Sequence, residues 1–367
     1  MRNAVAIGAV GAGALLSAAA LLRPRRGAAA DSRLLDWEAV RTTAHQRGGA
    51  TAPIDARRAQ AIALECDSIA AGLAPLMAEV CERPLTAFPR FAVLDRRGFV
   101  DVNIDIARRL LVPVEEIRAT LPDSPAATLS RGVMNRYVGV LFGIMSQRVL
   151  GQYDPVLSLG PLTGQTPSLY LVEPNIESFA GVADAPAGPL RRWLILHELT
   201  HAWQFGEHPW LREHLMSTMD GMIRSSLSQA IGDGIPRTPR QLVERLPGAL
   251  RTQLRGIAAL QAVMSVLEGY ANFVMHRVGR AHLEHFDELE AAFARRRSQR
   301  TVVERAVLAV TGINMKMRQY EEGERFCQAV ADAGGVALLN RVWENAAMMP
   351  TPGEMRAPQT WVARARR

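Results

Sequence analysis

The chain has 367 residues and a net charge of +7, and 48% of its residues are hydrophobic while 22% are charged. This composition excludes a disordered chain, and three cysteines are too few for a disulfide-rich secreted scaffold or a four-cysteine metal site. The positive charge is concentrated at the two ends, since residues 1–60 hold nine arginines against four acids and residues 356–367 hold four arginines and no acid. The near-neutral body excludes a broad phosphate-binding face, so we expect no nucleic-acid partner.

Residues 1–33 form a hydrophobic N-terminal segment that precedes the globular pattern. Within it, residues 4–22 carry no charge and are numerous enough to cross a bilayer. Arg23 and two further arginines separate this run from the small residues that a signal peptidase would recognise. A membrane anchor, a cleaved signal and a misassigned start codon all stay open, and we favour the anchor. The positive-inside rule then favours a membrane-associated protein with a cytoplasmic body over an exported one.

From residue 34 onward the hydrophobic pattern predicts a mostly α protein with a small β element. Helices are predicted over residues 56–83, 105–117 and 133–149. The apolar run 168–172, which is bounded by prolines, predicts a short strand, and a loop rich in Gly, Pro and Ala follows at 181–188.

Long helical patterns dominate the rest of the chain. They cover residues 189–206, 209–230, 248–278, 284–297 and parts of 301–347. The prolines at the end predict an irregular tail; they are Pro350, Pro352 and Pro358. We divide the domain into an N-terminal helical part, 34–160, and a part that carries the site, 161–367.

The helix predicted over 189–206 carries the H-E-x-x-H motif HELTH at positions 197–201. Residues four apart are about 1.1 turns apart, so the imidazoles of His197 and His201 lie on one face and can bind a single Zn²⁺. Glu198 projects about 100° from His197, which is too far for a ligand but suits a general base acting on a zinc-activated water. Large apolar residues surround the motif, and buried imidazole and carboxylate groups would be costly there without a metal.

A catalytic zinc needs a third protein ligand and an open position. One class of enzymes supplies a histidine six residues after the second motif histidine, but Glu207 occupies that position here. Another class takes a glutamate from a second helix. Glu268, within the apolar pattern 248–278, is the best candidate because an unpaired carboxylate there would be expensive. An ordinary acid at a helix boundary is the alternative, and Gly269 beside it would permit close approach of the motif helix.

Other candidate residues would support the metal and its ligands. Asn272, one turn after Glu268, is placed for a hydrogen bond to a ligand histidine or for a plain contact between helices. Tyr320 is our candidate for the electrophile that stabilises an oxyanion, and Tyr270 is a second one. The strand 168–172 either pairs with an extended peptide by edge addition or is purely structural.

Several segments together resemble one family. They are residues 35–37, 169–176, 197–215, 267–275, 312–326, 339–343 and 350–361. On these residues the chain from about Leu34 onward resembles the actinobacterial zincin-like metallopeptidases, once catalogued as a domain of unknown function and often labelled deazaflavin-coenzyme biosynthesis-associated hydrolases. The resemblance implies a mostly helical zincin-like fold, with zinc held by His197, His201 and Glu268 in a gluzincin-like arrangement and Glu198 as base. Nothing in these residues suggests a deazaflavin site.

The motif and the resemblance lead to one principal interpretation of residues 34–367. We expect a zinc-dependent metallohydrolase, and specifically a peptidase that cleaves amide bonds of a peptide or protein substrate. The alternative is a catalytically weak, metal-bound scaffold or regulatory protein. Glu198 argues against that alternative, because a purely structural ion needs only its ligands and usually recruits four of them from the protein.

Overall fold

The computed structural model describes residues 34–49, 51–119, 125–154, 169–183, 187–231, 239–298 and 316–367. The hydrophobic N-terminal segment 1–33 lies outside the described residues, and so does the boundary that we place between 160 and 161. Within the described residues the protein is mostly helical and has one small three-stranded sheet, which confirms the predicted fold class.

The helices of the described residues are α1 (Trp37–Arg47), α2 (Ala56–Cys81), α3 (Arg96–Ala119), α4 (Pro125–Ser146), α5 (Glu173–Ala183), α6 (Ala187–Gly206), α7 (Pro209–Ile231), α8 (Pro239–Val274), α9 (Phe286–Ser298), α10 (Lys316–Asn340), α11 (Pro352–Arg356) and α12 (Pro358–Ala365). The strands are β1 (Phe91–Leu94), β2 (Gly151–Tyr153) and β3 (Leu169–Val172). Helix α8 continues through a π-helical turn, Met275–Gly279, and ends with Arg280–His282. Two 3₁₀ turns, Arg341–Trp343 and Ala346–Met348, lie between α10 and α11.

The three strands pair in the order β1-β3-β2. Strand β1 runs parallel to β3 and β2 runs antiparallel to it, so ladder hydrogen bonds occupy both edges of β3. All four residues of β3 are buried. The prediction that this strand takes up a substrate by edge addition is therefore wrong, because an inner strand has no unpaired edge, and its structural alternative is right.

The main hydrophobic core packs around α6, and helices α2, α5, α7 and α8 together with strand β2 contact this helix. Near its start, Arg191 forms an ion pair with the buried Glu173 of α5, which ties the two helices together. A second hydrophobic cluster joins α1, α3 and α4. There α4 approaches α1 so closely that a Cβ at Gly143 would lie 2.9 Å from the carbonyl oxygen of Ala44. The motif helix is thus the centre of the larger core.

The C-terminal tail is helical, and the prediction of an irregular tail is wrong. Pro352 and Pro358 lie in the first turns of α11 and α12, where a missing N–H group leaves no helical hydrogen bond unmade. Trp361 of α12 is fully buried, and its indole N–H donates to the carbonyl oxygen of Met348. The prolines therefore start helices rather than break them, and the tail is anchored on the main core.

Two described stretches, Ala56–Cys81 and Gly256–His282, are long and apolar enough to cross a membrane. Length and composition alone give weak support, because the core helix of a soluble protein passes the same test. In the second stretch 67% of the apolar window is buried inside the protein, as in a core helix. Membrane association through residues 4–22 stays a prediction, since those residues lie outside the described ranges.

Candidate metal centre

Helix α6 carries the motif into the core because apolar residues surround it on nearly all sides. His197 and Glu198 are only 5% and 1% exposed, so both are removed from bulk water. At the end of the helix, the Nδ1–H of the buried His208 donates to the carbonyl oxygen of Gln204, one of the last carbonyls that a helix leaves unpaired. The motif is therefore held on a buried helix whose C-terminus is capped.

Three side chains from α6 and α8 converge at one point. The Nε2 atoms of His197 and His201 lie 3.2 Å apart. The Oε2 atom of Glu268 lies 3.5 Å from Nε2 of His197 and 4.0 Å from Nε2 of His201. One ligand atom from each residue falls within 4.8 Å of the other two. The structure thus brings together the three residues that the sequence singled out as ligands, although Glu268 is distant from the motif along the chain.

This group fits a divalent cation. Two imidazole nitrogens and a carboxylate oxygen are a donor set of catalytic zinc sites. The two nitrogens and the carboxylate oxygen lie 3.2–4.0 Å from one another in a buried space, and a Zn²⁺ ion would bind a lone pair of each. Within the ranges that the structure describes, no fourth His, Cys, Asp or Glu joins the group. Three protein ligands would leave one position of a four-coordinate zinc for solvent or substrate.

Glu198 lies beside β2, one of the two outer strands of the sheet. Its Oε2 atom accepts a hydrogen bond of 2.6 Å from the backbone N–H of Tyr153 in β2. Its Oε1 atom is buried and has no hydrogen-bond partner in the described part of the protein. Burial raises the pKa of Glu198 to about 7, although the nearby His201 opposes the rise. One carboxylate oxygen is therefore fixed by the backbone, while the other has no hydrogen-bond partner among the described residues.

The charges of the ligand group favour metal binding. Burial pushes the pKa of Glu268 upward, but its hydrogen bond with His197 and the neighbouring imidazoles outweigh burial, and the pKa falls to about 2. Burial, together with the adjacent His197, lowers the pKa of His201. These directions favour an ionised carboxylate and a neutral His201 imidazole, which are the forms that bind a metal.

The structure gives different results for the predictions on the two tyrosines and on Asn272. The backbone of Tyr320 lies in α10, but its side chain lies outside the described residues. Tyr270 is fully buried and donates its hydroxyl hydrogen to Oδ1 of Asn340, so the prediction that it is an electrophile is wrong. The side-chain amide of Asn272 donates to Glu324 of α10 rather than to a ligand histidine. It makes the interhelical contact that was the alternative prediction.

Gly269 permits a close helix contact, but with a different helix from the one predicted. A Cβ at this position would overlap the backbone of Gly323 in α10. Gly323 in turn lies against the backbone of Ser265, one turn before Gly269. Because Glu268 faces α6, its neighbour points about 100° further round α8 and meets α10 instead. The predicted role of Gly269 toward the motif helix is therefore wrong.

Two residues that support the site were not predicted. Gln204 of α6 lies between His201 and α8: its Oε1 is 2.8 Å from Nδ1 of His201, and its Nε2 donates to the carbonyl oxygen of Leu267. The signal was available, since residues three apart share a helix face. Tyr153 of β2 is the second, because its backbone N–H donates to Oε2 of Glu198. A three-residue strand has too short a pattern to be recognised.

Comparisons with known proteins agree with this geometry. A profile of the zincin-like metallopeptidase family matches residues 35–362. Among solved structures, the chain is similar to a protein from Chloroflexus aurantiacus that is described as a presumed hydrolase with a novel fold. The two chains share 31% sequence identity and have a TM-score of 0.67, over 91% of this chain and 99% of the other. No curated protein matches the chain significantly.

Proposed function

This chain belongs to the zincin-like metallopeptidase family, and we propose that it is a zinc-dependent hydrolase that cleaves peptide amide bonds. One observation carries the proposal: two imidazoles and a carboxylate place their ligand atoms within 4.8 Å of one another in a buried site. Glu198, next to the first of these imidazoles in the sequence, has a buried carboxylate oxygen without a partner among the described residues. A metal centre with a neighbouring base is the arrangement that metal-assisted hydrolysis needs.

Each residue of the centre has a distinct part in the proposed reaction. His197 and His201 would hold zinc through Nε2 and Glu268 through Oε2. When bound, zinc supplies Lewis acidity that polarises a carbonyl group and makes water a stronger acid. Glu198 accepts a proton from water at Oε1, while the N–H of Tyr153 keeps Oε2 in place. The water oxygen bonds to the carbonyl carbon, the C–N bond breaks, and Glu198 passes the proton to the departing nitrogen.

Strand β2 supports a peptide as the substrate. The carbonyl oxygen of Leu150 accepts from Val172 on the β3 side. Because backbone groups alternate along an antiparallel strand, those of Gly151 and Tyr153 point to the other edge, where the N–H of Tyr153 meets Glu198. An extended peptide could bond to this edge of β2 only where Glu198 leaves a backbone group free, and it would there lie beside the base.

The test separates the base from the ligands. In Glu198→Gln the ligand set is intact, so we expect zinc content close to one per chain together with a loss of turnover on a peptide library of about 10²–10⁴-fold. In His197→Ala both zinc and turnover should be lost. Glu207→Gln is the matched control, because this buried glutamate lies just beyond the same helix and accepts hydrogen bonds from Thr86 instead. Turnover that survives in Glu198→Gln would refute the assigned base.

The same measurements also test the alternative, a catalytically weak metal-bound scaffold or regulatory protein. A zinc-loaded protein that cleaves no member of a broad peptide library would favour a catalytically weak metal-binding protein. The described residues favour an enzyme instead, because the three-residue ligand group leaves a coordination position open, whereas structural zinc usually has four protein ligands.

A further inference from the structure

Gln204 connects the two helices that carry the ligands. It is fully buried on α6, three residues after His201. Its side chain reaches Nδ1 of His201 on one side and the carbonyl oxygen of Leu267 on the other, and Leu267 immediately precedes Glu268 in α8. We propose that Gln204 is a positioning residue that fixes the tautomer and ring orientation of His201, so that Nε2 presents its lone pair to the metal. This inference rests on the metal site of the proposed function.

The orientation of the Gln204 amide follows from its partners. A backbone carbonyl oxygen only accepts hydrogen bonds, so the group that lies 2.9 Å from Leu267 must be the NH₂ of Gln204. The amide oxygen is then the atom that faces His201, at 2.8 Å from Nδ1. An amide oxygen cannot donate, and Nδ1 of His201 must therefore carry the hydrogen. Helix α8 thus sets the direction of the amide through Leu267.

This chain of hydrogen bonds determines the ligand atom of His201. A neutral imidazole with its hydrogen on Nδ1 has its lone pair on Nε2, the atom that lies 3.2 Å from His197 and 4.0 Å from Glu268. A second hydrogen bond that fixes the tautomer and the ring is the usual support of a metal-bound histidine. His197 differs, because its Nδ1 is buried without a hydrogen-bond partner in the residues that the structure describes. Gln204 therefore orients His201 and not His197.

Two substitutions separate positioning from simple packing. Gln204→Met keeps the size of the side chain but removes both hydrogen bonds. Gln204→Glu keeps an acceptor for the Nδ1–H of His201 and loses the bond to Leu267, since a carboxylate cannot donate. Thr200→Val is the matched control: Thr200 is fully buried on the same helix, and its hydroxyl donates to the carbonyl oxygen of Leu196 rather than to the site. Zinc affinity is measured by chelator competition at fixed pH, and the free energy of unfolding is measured beside it.

We expect Gln204→Met to weaken zinc binding about 10–100-fold and to change the visible spectrum of the Co²⁺-loaded protein. Gln204→Glu should retain most of the zinc affinity although it lowers the free energy of unfolding, and Thr200→Val should bind zinc as the parent does. Unchanged affinity in Gln204→Met overturns the inference. The inference is also overturned if the zinc affinity of Gln204→Glu falls in step with its free energy of unfolding. This second measurement decides the question even if Gln204→Met does not fold. A parent protein that binds no zinc instead refutes the proposed function.

Discussion

Helix α6 has two sides that are both buried yet have opposite chemistry. The ligand side carries His197, His201 and Gln204, whose polar atoms bond to one another and to α8. The aromatic side carries Trp203, about 200° round the helix from His201, which stacks on Tyr270 with ring centroids 5.6 Å apart. One buried helix thus carries the candidate metal ligands on one side and is packed into the core by different residues on the other.

The difference follows from what each side gains on folding. Burying polar atoms that are only partly paired costs free energy, and on the ligand side part of that cost is offset only when a cation binds. The aromatic side removes large apolar surfaces from water, and aromatic pairs add to that gain. Stability should therefore depend on the aromatic side and metal affinity on the ligand side.

The strongest test of this separation is Trp203→Ala. Trp203 is 1% exposed, stacks on Tyr270 and meets Trp343 edge to face. Its loss should lower the free energy of unfolding by about 3–5 kcal/mol in a denaturant titration. The folded fraction should bind zinc as tightly as the parent does. Trp203→Phe, which keeps a ring and loses the indole hydrogen bond to Arg83, should cost less. A drop in zinc affinity comparable to that of a ligand variant would show that the two sides are not separate.

Helix α8 likewise has one side that faces the ligand group and another side that packs against a neighbouring helix. Glu268 faces α6, and Gly269 faces α10, where a Cβ would overlap the backbone of Gly323. Backbone atoms cannot yield as a flexible side chain does, so Gly269→Ala should lower the free energy of unfolding by at least about 1–3 kcal/mol.

Gly72→Ala is the control for Gly269→Ala, because a Cβ at Gly72 in α2 meets nothing within 4 Å. It should raise the free energy of unfolding by about 0.5–1 kcal/mol. Equal effects of the two substitutions would mean that the contact between α8 and α10 does not limit stability.

The sequence predicted the parts of the site that depend on local spacing or on the cost of burial. Two histidines four residues apart share a helix face whatever the fold, so His197 and His201 were accessible from the sequence alone. Glu268 was accessible because a carboxylate in a long apolar helix needs a partner. These arguments concern single helices and require no knowledge of which helix lies beside which.

The parts that depend on neighbours in space were missed or assigned to the wrong partner. The spacing of Gln204 indicates that it can reach His201, but not that Leu267 orients its amide. Gly269 was correctly identified as a point of close approach, yet the partner helix could not be deduced from α8 alone. Strand β2 has three residues and therefore no measurable period, and the prolines of the tail have the same signal whether they start a helix or interrupt one.

The smallest expected effect lies further along α8, where a histidine lies between two acids. Nε2 of His276 is 2.6 Å from Glu290 of α9, and Nδ1 is 3.0 Å from Glu324 of α10. Arg280 also lies near Glu290, at 3.7 Å. Hydrogen bonding to Glu324 raises the pKa of His276, burial opposes the rise, and Glu290 adds to it. Protonated His276 thus joins three helices, but its side chain is 33% exposed, so water screens the interaction.

Because the pKa of His276 is higher in the folded than in the unfolded protein, its contribution is complete below the unfolded value of about 6.5 and is lost as the pH rises through the folded value. His276→Gln should therefore lower the free energy of unfolding by about 0.2–1 kcal/mol at a pH near 5.5, and by less at a pH near 9. Denaturant titrations of both proteins at the two pH values measure the difference, and titrations of groups that both proteins share cancel. A gap that widens at alkaline pH would mean that His276 contributes to folding as a neutral side chain, through packing rather than through its charge.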